Sequence, residues 1–263
     1  MKLLGSVLLW VAVAASLAPP QRARHALGAA QKLNVPPARF AYIDSKLLAE
    51  KGVKLDEDRE ALADLKTFGE GLKVNIIDAE KLRGALFIAD DRLDVTDAFL
   101  AAWKAKPSRS APLQVPAVNI PAVGAAFINT NDFSNPETGI DKLLKVFKSI
   151  EKEFKPRRDE LIKMRQRLES GSGDRKRLEE EINQKEAAAK AELDKRVMET
   201  TGPIYEDIAK SLTPFCKQHG IALLFDTSKI LKLETLPPFD VNFPAGMPDV
   251  TAAFVSAYNK GTR

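Results

Sequence analysis

Three shortages bound what this 263-residue chain can be. It holds one cysteine, Cys216, so an intrachain disulfide is excluded. Its only histidines are His25 and His219, too few for a histidine-based metal site. Cys216 and His219 lie three apart in one helical pattern with no group to orient the imidazole, so the pair does not read as a nucleophile and base. Beside Phe215, Cys216 reads as a small core residue. There is no glycine-rich phosphate loop, no zinc-ligand spacing and no nucleophile elbow. The consecutive Glu179, Glu180 and Glu181 point in different directions on a helix and read as a solvated face. No catalytic residue, no metal, no cofactor and no enzymatic activity are expected. Aromatic content of 7% is thin and charged content of 29% is high, which suggests modest cores and a long solvated helical part. The net charge of +4 is too mild to indicate nucleic acid.

Long apolar runs are almost absent. The exception is Leu3–Leu17 behind the short basic start at Lys2. Small residues follow, with Ala12-Val13-Ala14, Ser16-Leu17-Ala18 and Gly28-Ala29-Ala30 as candidate cleavage sites. The run is short for a membrane span. Residues 1–30 are therefore expected to be a signal peptide and flexible N-terminus, with export of the chain; an uncleaved membrane anchor is the other reading.

What the chain does have is the same segment twice. DVTDAFLAAWKAK at 94–106 and DVTAAFVSAYNKG at 249–261 share Asp, Val, Thr, Ala, Phe and Ala at matching places. Asp94 and Asp249 read as helix N-caps. Val95, Phe99, Ala102 and Trp103 form one apolar helical face, matched by Val250, Phe254, Ala257 and Tyr258. Upstream, LKVNIIDAEKL at 72–82 matches GIALLFDTSKI at 220–230, and RFAYIDSKLL at 39–48 matches AAFINTNDF at 125–133. Each copy runs strand, insert, strand, connector, helix, an order that points to an internal duplication. The expected domains are 38–106 and 124–263, joined by a proline-rich linker over 107–123.

The inserts differ. The first is short, with one helix expected over Asp56–Phe68. The second runs from Ser134 to His219. Stepping by seven from Ile140 gives Phe147, Phe154, Leu161 and Leu168, with Leu143, Ile150, Arg157 and Met164 between them. This heptad seam predicts a coiled-coil helix. It stops at Ser170-Gly171-Ser172-Gly173-Asp174, after which Leu178, Ile182, Ala189, Leu193 and Val197 mark a partner helix folding back. The arm, about 139–218, should be roughly 45–50 Å long. Pro156 lies in mid-helix, where a kink and a candidate hinge are expected, facing Ala187–Ala189 if the turn centres on Ser172. Gly202-Pro203 marks a second expected break. The fold class is thus α+β, with small β-rich association modules in two copies and one long antiparallel helical-hairpin arm.

The order AAFINTNDF, EKEFKPRRDEL, SGSGDRKRLEEEI, IALLFDTSKI, DVTAAF resembles the Skp/OmpH family of periplasmic chaperones over about 123–260, and 38–106 resembles the body of that family without its arm. The resemblance implies an ATP-independent holdase that binds unfolded outer-membrane proteins between projecting arms. The arm residues offered for client binding are Arg157, Arg158, Ile162, Lys163, Met164, Arg165 and Arg167: mixed charge and apolar surface avoids self-aggregation, and methionine adapts its shape. A membrane surface or lipopolysaccharide is a further candidate partner. The alternative is an envelope scaffold or adaptor that binds one folded partner through the arm. Two body modules in one chain depart from the family's single module, and a monomer or small homo-oligomer is expected in place of its trimer.

Overall fold

The computed structural model describes residues 33–171, 174–230 and 246–261. The expected signal peptide, Ser172 at the hairpin tip and most of the connector at 231–248 lie outside the described residues. In chain order the elements are β1 (Pro37–Ala38), β2 (Phe40–Ile43), α1 (Ser45–Glu50), α2 (Arg59–Leu72), β3 (Asn75–Asp78), β4 (Leu86–Ile88), α3 (Thr96–Lys104), β5 (Val123–Ile128), α4 (Asp141–Glu169), α5 (Arg175–His219), β6 (Ile221–Asp226), α6 (Thr227–Ile230) and α7 (Thr251–Gly261). The protein is mixed α+β, with a small mixed sheet and a long helix. Two compact units divide the chain.

One unit holds the strands. Its four-stranded sheet has the order β1-β5-β6-β4, and β2 and β3 form a separate parallel pair. β5 and β6 are also parallel, flanked by antiparallel β1 and β4. Parallel neighbours cannot be joined by a tight turn. β2 reaches β3 through α1 and α2, and β5 reaches β6 through α4 and α5. The inserts that differ so much in length are both crossovers. Every residue of β6 and of β2 is buried, which explains why both read as continuous apolar runs instead of alternating ones.

α2 turns Ala61, Leu65, Phe68 and Leu72 inward. It starts at Arg59, three residues later than expected, because the Asp58 carboxylate accepts the N–H groups of Glu60 and Ala61, both at 3.1 Å. It ends at Lys73 in the left-handed region (φ 55°), where Val74 N–H returns to Gly69 C=O. The scarce aromatics concentrate in the core. Phe68 meets Phe99 edge-on at 5.5 Å, and Phe225 lies between Phe40 at 5.9 Å and Phe127 at 6.3 Å. The linker lies on this core: Leu113 and Ile120 are buried, and Val115 packs so closely on Gly71 that a Cβ there would meet it at 2.8 Å.

The same bonding pattern occurs twice in this unit. Ile43 pairs with Asp78 as Ile128 pairs with Asp226. Tyr42 bridges Asp94 as Phe127 bridges Asp249. Val95 N–H donates to Tyr42 C=O and Val250 N–H to Phe127 C=O, each at 2.9 Å. The Thr96 hydroxyl accepts from Asp44 N–H at 2.9 Å and donates to Asp94; the Thr251 hydroxyl accepts from Asn129 N–H at 2.8 Å and donates to Asp249. These bonds correct the capping expectation. α3 begins at Thr96 with Val95 at the N-cap position, so Asp94, which bridges to Tyr42 of β2, stands one residue too early to be the N-cap. Its carboxylate instead fixes the N–H and hydroxyl of Thr96. The DVT triplet is a clip that ties a helix start to the end of a strand.

The other unit contains α4, the α5 residues up to Ser211 and the end of α7. Its base is pinned by side chains. Asn259 accepts from Asp141 N–H at 3.0 Å, supplying a partner for the first turn of α4, and donates to Gly139 C=O at 3.1 Å. Asp207 accepts from the Tyr258 hydroxyl and from Lys142 at 3.1 Å. These two donors hold the Asp207 carboxyl below its ordinary range; burial, followed by the Asp207 bond, pushes the Tyr258 hydroxyl up.

Candidate functional site

The heptad pattern decides how α4 and α5 meet. Leu143, Ile150, Phe154, Leu161 and Met164 are buried along α4, and Ile182 and Ala189 along α5. Ion pairs cross between the helices on the flanks: Lys142 to Asp207 at 3.1 Å, Glu153 to Arg196 at 3.2 Å, Arg157 to Glu192, Glu160 to Lys185 at 2.5 Å and Arg165 to Glu186. From Lys142 to Arg165 along α4 the partners run back along α5 from Asp207 to the neighbourhood of Lys185 and Glu186, so the helices are antiparallel. Each exposed pair contributes little by itself, because water screens it, but the set fixes the register. The Arg157 bond lowers the Glu192 carboxyl, and the Lys185 bond lowers that of Glu160.

The register moves the residues that face Pro156. Arg157 bonds Glu192, so Pro156 stands opposite the neighbourhood of Leu193 and not Ala187–Ala189. The ladder places the reversal nearer Asp174 than Ser172, which shifts every opposing pair. Pro156 itself is exposed, and α4 runs through it from Asp141 to Glu169. The break expected at Gly202-Pro203 is also not present: α5 is continuous across both residues.

The seven proposed client contacts do not form one surface. Arg157 is exposed, bonds Glu192 and lies 5.1 Å over the Phe154 ring. Arg158 is half-buried, 3.9 Å from Glu151 and 3.8 Å from Asp159. Arg165 is half-buried against Glu186. Ile162 is 46% exposed, and Lys163 and Arg167 are exposed. Met164 is a correction. It is only 7% exposed, because it occupies the seam position that its heptad spacing dictates, and an adaptable surface contact cannot be made from there.

Sequence reasoning missed the two other large apolar side chains that stand out among the described residues, Met198 at 75% and Tyr205 at 43% exposed. They are seven apart on α5 and so share a face. Between them Gly202 leaves a gap, with nothing within 4 Å of where its Cβ would be. Burial raises the Tyr205 hydroxyl. The available signal was phase: Val197 keeps the seam's spacing, so Met198 beside it points elsewhere.

Among the described residues no cluster of histidine, cysteine and carboxylate side chains could hold a metal ion, and no helix is long and apolar enough to cross a membrane. The Cys216 thiol is buried, and burial pushes it up to about 12, away from nucleophilic use. Comparison with protein-family models, curated proteins and solved structures gives no match to this chain.

Proposed function

We propose that this protein is an ATP-independent periplasmic holdase for unfolded outer-membrane proteins, built from two copies of one small β-rich module of which only the second carries a helical-hairpin arm. The observation that carries the holdase reading is the outer surface of the hairpin. Ile162, Met198 and Tyr205 are exposed as separate apolar points among charged residues paired along the flanks. A surface that is mostly charged with scattered apolar contacts stays soluble yet gives weak, adaptable grips on a chain without fixed shape. The order of motifs that resembles the Skp/OmpH family supports the same reading. The repeated Tyr42–Asp94 and Phe127–Asp249 bridges, each with its threonine clip, support the duplication.

The test is aggregation suppression without nucleotide, using several unrelated unfolded β-barrel proteins. The wild type should suppress aggregation of all of them. Changing Ile162, Met198 and Tyr205 together to serine should weaken client binding about tenfold, or roughly 1.4 kcal/mol, with helix content unchanged. A protein that ignores all unfolded clients and binds one folded envelope partner is an adaptor, and the holdase reading then fails. Light scattering should give a monomer or dimer, since one chain already supplies both bodies; a stable trimer would count against that.

A further inference from the structure

α5 uses one face against α4, where Ile182 and Ala189 are buried. On the side turned away from α4 a second set of residues recurs: Ala191, Lys195, Met198, Gly202, Tyr205 and Ala209. The steps between them are four, three, four, three and four residues, the spacing of a coiled-coil face. All six lie in the unit that contains the hairpin. Gly202 is half-buried and the other five are exposed. The steps read the same in both directions. The stripe therefore superposes on its own reverse about the level of Thr200: Ala191 exchanges with Ala209, Lys195 with Tyr205 and Met198 with Gly202.

We infer that this outer face of α5 is an interface between two copies of the chain, packed antiparallel about a two-fold axis level with Thr200. A two-fold contact needs a patch complementary to itself, and this one is. Sizes match. Met198 lies opposite the partner's Gly202, and nothing stands within 4 Å of where a Cβ on Gly202 would be, so a long exposed side chain enters an open gap, twice by symmetry. Tyr205 lies opposite the partner's Lys195, whose aliphatic stem and ammonium suit an aromatic face. Alanine meets alanine at both ends, which lets the helices approach closely. Charge selects the direction. Glu206 is exposed and has no ion pair among the described residues, and Lys195 has Glu199 at 3.9 Å. In the antiparallel pair Glu206 falls within one residue of the partner's Lys195. Within one chain the two are roughly 16 Å apart along the helix and do not meet. A parallel pair would set lysine on lysine and glutamate on glutamate, and would leave a void between the glycines. An unfolded polypeptide has neither the spacing nor the direction to use these features, so the occupant is a second copy. Met198 and Tyr205 are also two of the points proposed above to grip clients, and a client would compete with the second copy for them. The interface itself does not rest on the holdase reading.

Sedimentation velocity on the full-length chain tests this with no client present. The wild type should pass from monomer to dimer as its concentration rises. Gly202→Leu fills the gap that receives Met198 and should raise the dimer dissociation constant at least about tenfold. Leucine favours helix over glycine and meets nothing within 4 Å, so helix content and the thermal stability of the monomer should not fall. Lys195→Glu sets carboxylate against carboxylate across the interface, twice, and should weaken the dimer by about tenfold as well. Adding Glu206→Lys to it restores opposite charges between the copies and should bring the dissociation constant back to within about threefold of the wild type. A chain that stays monomeric at every concentration, or forms a trimer, overturns the inference. A dimer indifferent to Gly202→Leu places the contact elsewhere and overturns it too. Failure of the second charge reversal to rescue the first rejects the antiparallel pairing. Since none of these readings involves a client, the interface and the holdase proposal can each fail without the other.

Discussion

Asp226→Asn should lower the unfolding free energy by about 2 kcal/mol at neutral pH, and Asp78→Asn should raise it by about 1 kcal/mol, although the two aspartates hold equivalent places in the repeats. Asp226 is saturated. One carboxylate oxygen accepts from Thr130 N–H at 3.2 Å, Ser228 N–H at 3.1 Å and the Ser228 hydroxyl at 2.8 Å; the other accepts from the Thr130 hydroxyl at 2.6 Å. Burial pushes this carboxyl up, but the donors outweigh it and hold it below its ordinary range. Asp78 is fully buried and poorly served. One oxygen accepts from the N–H groups of Glu80 at 3.1 Å and Lys81 at 3.4 Å, and the Ser45 hydroxyl and N–H also act to lower this carboxyl, while Oδ2 has no hydrogen bond within reach among the described residues. Glu80 stands where Ser228 stands and has no hydroxyl to give, and Lys81 turns away to Asp56. Here burial prevails and raises the carboxyl.

The two groups therefore respond to acid with opposite sign. The Asp226 contribution is complete above the ordinary carboxylate range and is lost as pH falls through its depressed folded value. The Asp78 penalty is absent below the ordinary carboxylate value, grows as pH rises from that value to its raised folded one, and is complete above the latter. The gain from Asp78→Asn should therefore shrink on acidification. Urea midpoints of the wild type and both variants at pH 7 and near pH 4 check this. Destabilisation by Asp78→Asn at pH 7 would show that the carboxylate at 78 has a partner that matters.

These aspartates show what the sequence could reveal and what it could not. The DVT repeat and the strands ending in Asp78 and Asp226 were visible because the chemistry needs those residue types: a carboxylate to clip a threonine, and β-branched or aromatic runs for strands buried on both faces. The heptad seam was visible because Ile140 to Leu168 keeps one period over several turns. Offsets were not visible. Placing Leu193 opposite Pro156 depends on how many residues the turn consumes, and no periodicity carries that number. β1 and β4 are two and three residues long, too short to show alternation, and they become strands only because β5 and β6 offer edges. Gly202-Pro203 read as a break because local propensity disfavours helix there. Buried neighbours override it: Thr201 and Ile208 are both buried, and the Thr201 hydroxyl returns to Val197 C=O at 2.8 Å. For the contact surface, the residue types were legible but their facing was not, which is how Met164 was offered and Met198 passed over.

Pro156→Ala should stabilise the hairpin by about 3 kcal/mol, the propensity difference for a helix interior. Pro156 has no N–H to give to Lys152 C=O, and its ring crowds that carbonyl. It is exposed, so alanine leaves no core cavity. Ion pairs bracket it, Glu153 to Arg196 before it and Arg157 to Glu192 just after, so α4 is held to α5 on both sides of the weak point. A helix missing one bond between two fixed points bends there at the least cost. If clients of different size are accommodated by bending at Pro156, restoring the bond stiffens the arm. Large unfolded β-barrel proteins should then bind less well than small ones, because spreading the arm consumes more of the binding energy. Paired affinities for one small and one large client, wild type against Pro156→Ala, together with thermal unfolding, read both effects. A rise in stability with both affinities unchanged would mean that Pro156 is a static feature of α4 and that client size is accommodated elsewhere.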